Sequence, residues 1–353
     1  MDIEFGTFVA GLVSDPLLVL IVILNLGVII VNGATDAPNA ITTVVSTRSM
    51  KPRKAIMMAA CCNFFGLLII SSFNNAVANT IFKMVDFGGD SHTALVALLA
   101  AMIAIIVWGL TAWYFGIPSS QSHSLIAGLT GAAIALQSGF GGVNGTEWAK
   151  VIYGILLSTF MGFGLGWLGA RGIKLFFHAA ERRSVDRGFR YMQIGTSAAA
   201  AFMHGAQDGQ KFLSIFILAI ALNMHFDVSA VSDLGQMPVW LMLIVALCMG
   251  TGTAIGGERI IKNVGMNMTK LEPYQGAAAS LSSVICLVVS TFGGLPVSTT
   301  HANTTAIMGV GAAKRAKAVK WDIAGDMVLT WILTFPGCGL MGYVFAELLF
   351  MLL

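Results

Sequence analysis

The sequence predicts an all-α polytopic membrane protein built from two inverted-topology repeats with broken helices and re-entrant hairpins. Three observations carry that expectation. Long apolar stretches contain almost no charge, basic clusters alternate with neutral or acidic loops, and two polar motifs each occur twice inside apolar sequence.

The 353 residues are 56% hydrophobic and only 10% charged. A soluble globular chain carries about 25% charged residues. This composition cannot clothe a water-facing surface and points to a lipid bilayer as the surroundings. The 40 glycines suit close helix packing in lipid. The net charge of +3 comes with no basic stripe interleaved with aromatics, so nucleic acid is excluded as a partner. Cys61, Cys62, Cys248, Cys286 and Cys338 lie in apolar runs without metal-ligand spacing and read as packing residues. The first fifteen residues lack a basic n-region, so no cleaved signal peptide is expected.

The apolar elements run in order along the chain. The first, 17–48, is apolar to Val31, turns polar, and ends at Arg48, Lys51, Arg53 and Lys54. The second, 54–82, closes at Lys83, Asp86 and Asp90. The third, 93–115, is a plain span, and the short fourth, 119–136, follows Pro118. The fifth, 147–178, leads into the densest charge in the chain, from Arg171 to Arg190. The sixth, 189–224, ends near Asp227 and Asp233, and the seventh, 237–257, near Glu258, Arg259, Lys262 and Lys270. The eighth is 273–293, the short ninth 298–313, and the tenth 320–352, which follows Lys314, Arg315, Lys317 and Lys320. A simple span needs about 20 residues, so the first and sixth elements either tilt strongly or break. Basic loops are retained on the cytoplasmic side, which places both termini outside the cell membrane.

Five elements per half is odd, so the halves enter the membrane from opposite sides. The expected division is 1–178, a cytoplasmic linker at 179–190, and 191–353. "NGATD" (32–36) is repeated as "HGAQD" (204–208), and "GIPSSQSH" (116–123) as "GLPVSTTH" (294–301). Inverted repeats with interrupted helices are the architecture of secondary transporters, whose substrate sits near the midplane between the repeats.

The first motif interrupts an apolar element with Asn32, Gly33, Thr35, Asp36, Pro38 and Asn39. A carboxylate within a membrane costs about 2.5–3.5 kcal/mol on insertion scales and marks function by default. Pro38 frees a carbonyl from its helical partner. Freed carbonyls plus a carboxylate form a hard oxygen site for Na⁺ or a proton. The second copy supplies Asp208 with Gln207, Gln210 and Lys211. Coupling-cation candidates are therefore Asn32, Asp36, Asn39, Gln207 and Asp208, with Asp36 and Asp208 as the ligands where the ion is Na⁺. Thr35 and Lys211 are secondary candidates. Helix capping by Asp36 is the bland alternative, and it is compatible with ion binding.

The second motif begins helices with hydroxyls. Ser119, Ser120, Gln121 and Ser122 follow Pro118, and Ser298, Thr299 and Thr300 follow Pro296. Hydroxyls and free N–H groups at a helix start make an anion site. Two such starts entering from opposite sides can close on one tetrahedral anion. The short elements fit halves of re-entrant hairpins; full spans are the alternative. The ordinary alternative for the serines is N-capping. His123, His301 and His204 are second-tier candidates, because a lone intramembrane histidine is more often structural.

"GATDAPNA", "HGAQDGQK", "PSSQSH" and "PVSTTH" together resemble the inorganic phosphate transporter (PiT) family, over nearly the whole chain, and "STRSMKP" with "HGAQDGQK" resembles its bacterial Pit branch. The resemblance implies a cation-coupled inorganic phosphate symporter with no cofactor beyond Na⁺ or H⁺ as coupling ion. It implies substrate contacts from Asp36, Asn39, Asp208, Ser120, Gln121, Ser122, Ser298, Thr299 and Thr300. Thr35 and Gln207 stand where the family motif often has Asn, and Pro38 replaces a small residue, which leaves the choice of ion open. A metal–phosphate complex is an alternative substrate, and so is sulfate. Sulfate cannot donate a hydrogen bond to an aspartate near neutral pH, whereas monohydrogen phosphate can. An intramembrane hydrolase lacks support, with neither H-E-x-x-H nor G-x-S-x-G present. A passive channel would carry flux without a cation gradient. Glycine-rich faces allow a homodimer as readily as internal packing.

Overall fold

The computed structural model describes residues 3–88, 90–115, 120–179, 181–226, 228, 231, 233–256, 261 and 271–353. Expectations resting on Pro118, Ser119, Asp227, Glu258, Arg259, Lys262 and Lys270 lie outside the described residues. Among the described residues the architecture is helical, and pairing of strand type is confined to an isolated bridge between Val85 and Val143. Six helices among the described residues are long and apolar enough to cross a membrane, by length and composition.

The first apolar element breaks where its sequence says it should. Helix α1 (Phe5–Ser14), which the hydrophobic pattern did not single out, is followed directly by α2 (Pro16–Thr35). Asp15 caps α2 by accepting the Leu17 N–H, with Pro16 at the first helical position. At the other end Pro38 has no N–H to give the Ala34 carbonyl. The chain continues as a 3₁₀ turn (Ala37–Ile41) and a short helix α3 (Thr42–Ser46).

The sixth element does not break. Helix α9 runs unbroken from Arg182 to Asn223. The reason is one residue: Gln210 occupies the position equivalent to Pro38 and keeps its N–H. Residues 182–190, expected as linker, are the first turns of this helix. At about 1.5 Å per residue, 42 residues span about 63 Å, roughly twice the hydrocarbon core of about 30 Å, so the charged first turns project beyond it. The second element also differs from expectation, splitting at Ser72–Asn75 into α4 (Pro52–Ser71) and α5 (Ala76–Phe82).

Two helical hairpins complete the centre. Helix α6 (Ser91–Phe115) is followed by α7 (Gln121–Leu136), whose end returns to the start of α6: Gln137 Nε2 donates to the Asp86 carbonyl at 2.7 Å. After α8 (Gly145–Phe176), α9 and α10 (Val239–Ile255), the second hairpin pairs α11 (Pro273–Phe292) with α12 (Thr299–Lys314). Lys314 Nζ closes its base on Glu272 Oε1 at 3.0 Å. The last helix is α13 (Trp321–Leu352). The apolar windows of α8 and α13 are only 28% and 17% buried, which makes these the outer, lipid-facing helices. Their exposed side chains include Phe160, Leu168, Ile332 and Leu340.

The packing of one half mirrors that of the other. Helix α2 lies on α10 and α4 on α9; α8 lies on the α12 arm and α13 on the α7 arm. The motif glycines make the first two contacts possible. A Cβ at Gly33 would collide with the Met249 carbonyl, and one at Gly205 with the Asn63 carbonyl. Gly252 and Gly66 lie equally close to Ile30 and Phe202 from the opposite side. Only glycine lets these backbones approach so closely.

Candidate functional site

The break in α2, the middle of α9 and the starts of α7 and α12 meet in the interior. Asp36 is 3% exposed and Asp208 fully buried. The tips interlock through their histidines: the rings of His123 and His301 lie edge to face with centroids 4.5 Å apart. Phe335 packs on His123 and Trp331 on His301, both from α13. All four ring nitrogens are buried without a hydrogen-bond partner.

Asp208 is held by an ion pair. Its Oδ1 accepts from Lys211 Nζ at 2.7 Å, and its Oδ2 from Asn32 Nδ2 at 3.1 Å and Thr299 Oγ1 at 3.4 Å. His204 Nε2 stands 3.3 Å from Oδ2, within ion-pair reach but not aligned as a hydrogen bond. Its other nitrogen, Nδ1, lies 3.0 Å from Asn63 Oδ1, which orients the ring. Lys211 also donates to Ser122 Oγ and the Val297 carbonyl, each at 2.6 Å.

Among the described residues no such cation is bonded to Asp36. Its Oδ1 accepts from Thr35 Oγ1 at 3.2 Å and its Oδ2 from the Gln121 N–H at 3.4 Å. Asn32 links the two aspartates, since its carbonyl accepts the Asp36 N–H at 2.8 Å while its side chain serves Asp208. Asn39 Nδ2 donates to Thr300 Oγ1 at 3.0 Å. The side-chain oxygens of Asn32 and Asn39 are buried and accept nothing. Spacings of four and three residues bring them and Asp36 along one side of the break. Oxygen atoms without donors, next to a carboxylate, suit a small hard cation.

The tips present hydroxyls. Ser120 and Ser298 are N-caps, accepting the His123 and His301 N–H groups at 3.4 and 3.2 Å. Ser122 accepts from Lys211 and Thr300 from Asn39. In each of these four the oxygen is an acceptor, which leaves the O–H free to donate. Two come from each tip, in equivalent positions of the repeated motif. Capping thus leaves these hydroxyl hydrogens available to a further acceptor. Thr299 and Gln121 differ, because their donors go to Asp208 and Asp36. The side chain of Gln121 lies against Gly109 of α6.

Gln207 is the expected candidate that stands apart. Its Nε2 donates to the Leu295 carbonyl at 2.8 Å and its Oε1 accepts from Thr291 at 2.6 Å, so both ends are used in holding the second hairpin. Sequence reasoning passed over Asn63, Gln193 and Ser280, and named Gln210 only as a neighbour of Asp208. Gln193 accepts from Thr47 and Ser49, each at 2.8 Å, on one side of the site. Gln210 donates to the Asn74 carbonyl at 2.7 Å on the other. Ser280 bonds Thr43 and Ser197 at 2.8 and 3.2 Å. The signal available was their polarity inside apolar runs.

Comparison with known proteins agrees with this architecture. A model of the phosphate transporter family matches residues 32–342. A Bacillus subtilis (strain 168) protein named "Probable low-affinity inorganic phosphate transporter" is 39% identical, over 93% of this chain and 96% of its own length. A Rhizobium meliloti (strain 1021) protein of the same name is 36% identical, over 92% and 94%. A solved structure, "The sodium-dependent phosphate transporter", superposes with a TM-score of 0.84 at 22% identity, covering 96% of this chain and 100% of that one, which establishes likeness of fold.

Proposed function

The chain belongs to the phosphate transporter family, a multi-pass membrane family, and from that footing we propose that it carries inorganic phosphate into the cell together with a monovalent cation, by alternating access. The observation that carries this reading is the set of four free hydroxyl donors, Ser120, Ser122, Ser298 and Thr300, facing inward from two tips. Phosphate offers four oxygens. Helix dipoles at the starts of α7 and α12 add to the attraction.

Asp36 sets both anion choice and coupling. Beside a bound anion its carboxylate repels unless a cation or proton intervenes. Monohydrogen phosphate can donate its own O–H to Asp36, whereas sulfate can only be repelled. The cation is held by Asp36 with the orphan oxygens of Asn32 and Asn39. Asp208 positions the tips through Thr299 and Lys211.

The division into two inverted repeats, with α7 and α12 as re-entrant arms, is supported by the mirrored packing and by length. Sixteen residues span about 24 Å, short of the roughly 30 Å core. Basic loops then face the cytoplasm and the termini face out. Access alternates by opening one side at a time: the Gln193–Thr47–Ser49 contacts inside, or the Gln210–Asn74 and Asn79–Asp233 contacts outside. Labelled phosphate uptake into proteoliposomes, under separately imposed Na⁺ and H⁺ gradients with sulfate as competitor, tests the proposal. Gradient-driven uptake that sulfate fails to block is expected. Flux indifferent to both gradients would replace the symporter with a channel.

A further inference from the structure

The two repeats differ at one telling position. Three residues after the motif aspartate the first copy has Asn39 and the second Lys211. The surroundings correspond. Asn39 reaches across to Thr300 of the α12 tip, and Lys211 reaches across to Ser122 of the α7 tip, the equivalent hydroxyl of the repeated motif. Asp36 accepts from Gln121 of its own hairpin, and Asp208 from Thr299 of its own.

What surrounds the Lys211 nitrogen is an all-oxygen cage: a carboxylate, a hydroxyl and a backbone carbonyl at 2.7, 2.6 and 2.6 Å. An ammonium has three donors, and all three are used. A carboxylate, a hydroxyl and a carbonyl freed ahead of a helix are also the ligand types that hold a small hard cation. In the first repeat the matching place has, among the described residues, a carboxylate without a bonded cation and two amide oxygens without donors, on Asn32 and Asn39. One repeat therefore carries its cation on the chain, and the other offers the oxygen ligands for one.

We propose that the Lys211 ammonium permanently fills one of two equivalent cation positions, so that only the position beside Asp36 takes an exchangeable Na⁺ or H⁺ and one such cation moves with each phosphate. This rests on the phosphate-symport reading above and adds to it the identity of the fixed cation and the stoichiometry. Lys211 is a positioning residue. It ties α9 to the first tip through Ser122 and to the entry of the second through Val297, and it removes the charge of Asp208 from the coupling step.

The test compares wild type with Lys211→Asn, which gives the second repeat the residue of the first, and with Lys211→Arg, which keeps the charge. Phosphate affinity is measured by calorimetry on purified protein over a series of Na⁺ concentrations, with choline holding ionic strength constant and pH fixed. The expected result is that Lys211→Asn gains one power of Na⁺ dependence, so each tenfold drop in Na⁺ weakens binding by a further factor of about ten. Lys211→Arg keeps the wild-type slope. A pH series at fixed Na⁺ reads the same slope for H⁺, and slopes equal to wild type in Lys211→Asn in both series would overturn the proposal. Where Lys211→Asn fails to fold, the wild-type flux ratio decides: one cation per labelled phosphate is expected, and two or more overturns the fixed-cation assignment. Wild-type protein that moves no phosphate under either gradient would sink the transport reading itself, and this inference with it.

Discussion

Thr300→Val is the sharpest perturbation of the proposed phosphate site. Valine keeps the shape and β-branching of threonine but removes the hydroxyl that accepts from Asn39 at 3.0 Å and whose own hydrogen is free. Two effects follow, on different observables. Without ligand, the Asn39 amide loses its acceptor in a buried place, which costs about 1–3 kcal/mol of stability. With ligand, one hydrogen bond to a charged oxygen is lost, worth about 1.5–3 kcal/mol, or roughly 10- to 150-fold in affinity. Thr300→Ser restores the hydroxyl and should keep affinity near wild type. Calorimetry with phosphate on purified variants reads the binding effect, and thermal denaturation without phosphate reads the stability effect. Unchanged phosphate affinity in a folded Thr300→Val protein would refute the hydroxyl-lined site.

Asp36→Asn should abolish gradient-coupled uptake while leaving insertion intact, as judged by uptake alongside size-exclusion behaviour; normal coupled uptake would contradict the role given to Asp36. Ser298→Ala removes both the cap of α12 and a proposed phosphate donor, so it should lower stability by about 1 kcal/mol and weaken phosphate binding together. Gly205→Ala drives a methyl into the Asn63 carbonyl and should destabilise the α4–α9 contact by about 1–3 kcal/mol, seen as a lower midpoint in thermal unfolding. Glu272→Gln removes a pair whose side chains are 47% and 44% exposed, so the hairpin base should hold with a change below about 1 kcal/mol.

The parts of the site that were legible in the sequence were those written twice. Asp36 and Asp208 stood out as carboxylates in apolar runs, and the serine–threonine clusters as helix starts after proline. Duplication made chance an unattractive explanation for each. The break at Asp36 followed from Pro38, and the continuity of α9 was equally readable in Gln210, had the copies been aligned residue by residue. What could not be read were the cross-repeat partners. Nothing local says that Lys211 meets Ser122 and Val297, or that Gln207 turns toward Thr291 and not toward Asp208. Those contacts join residues far apart in sequence and depend on helix rotation, which apolar patterning leaves loose when nearly every face is apolar. The division of 54–82 into two helices was missed for a related reason. Ser72, Phe73, Asn74 and Asn75 interrupt the helix without interrupting its hydrophobicity enough to mark a boundary.

The most direct measurement is a structure by electron microscopy in lipid nanodiscs with phosphate and cation present. Tetrahedral density enclosed by Ser120, Ser122, Ser298 and Thr300, next to Asp36, is the predicted result. Well-ordered phosphate bound elsewhere, with none of these hydroxyls touching it, would contradict the account.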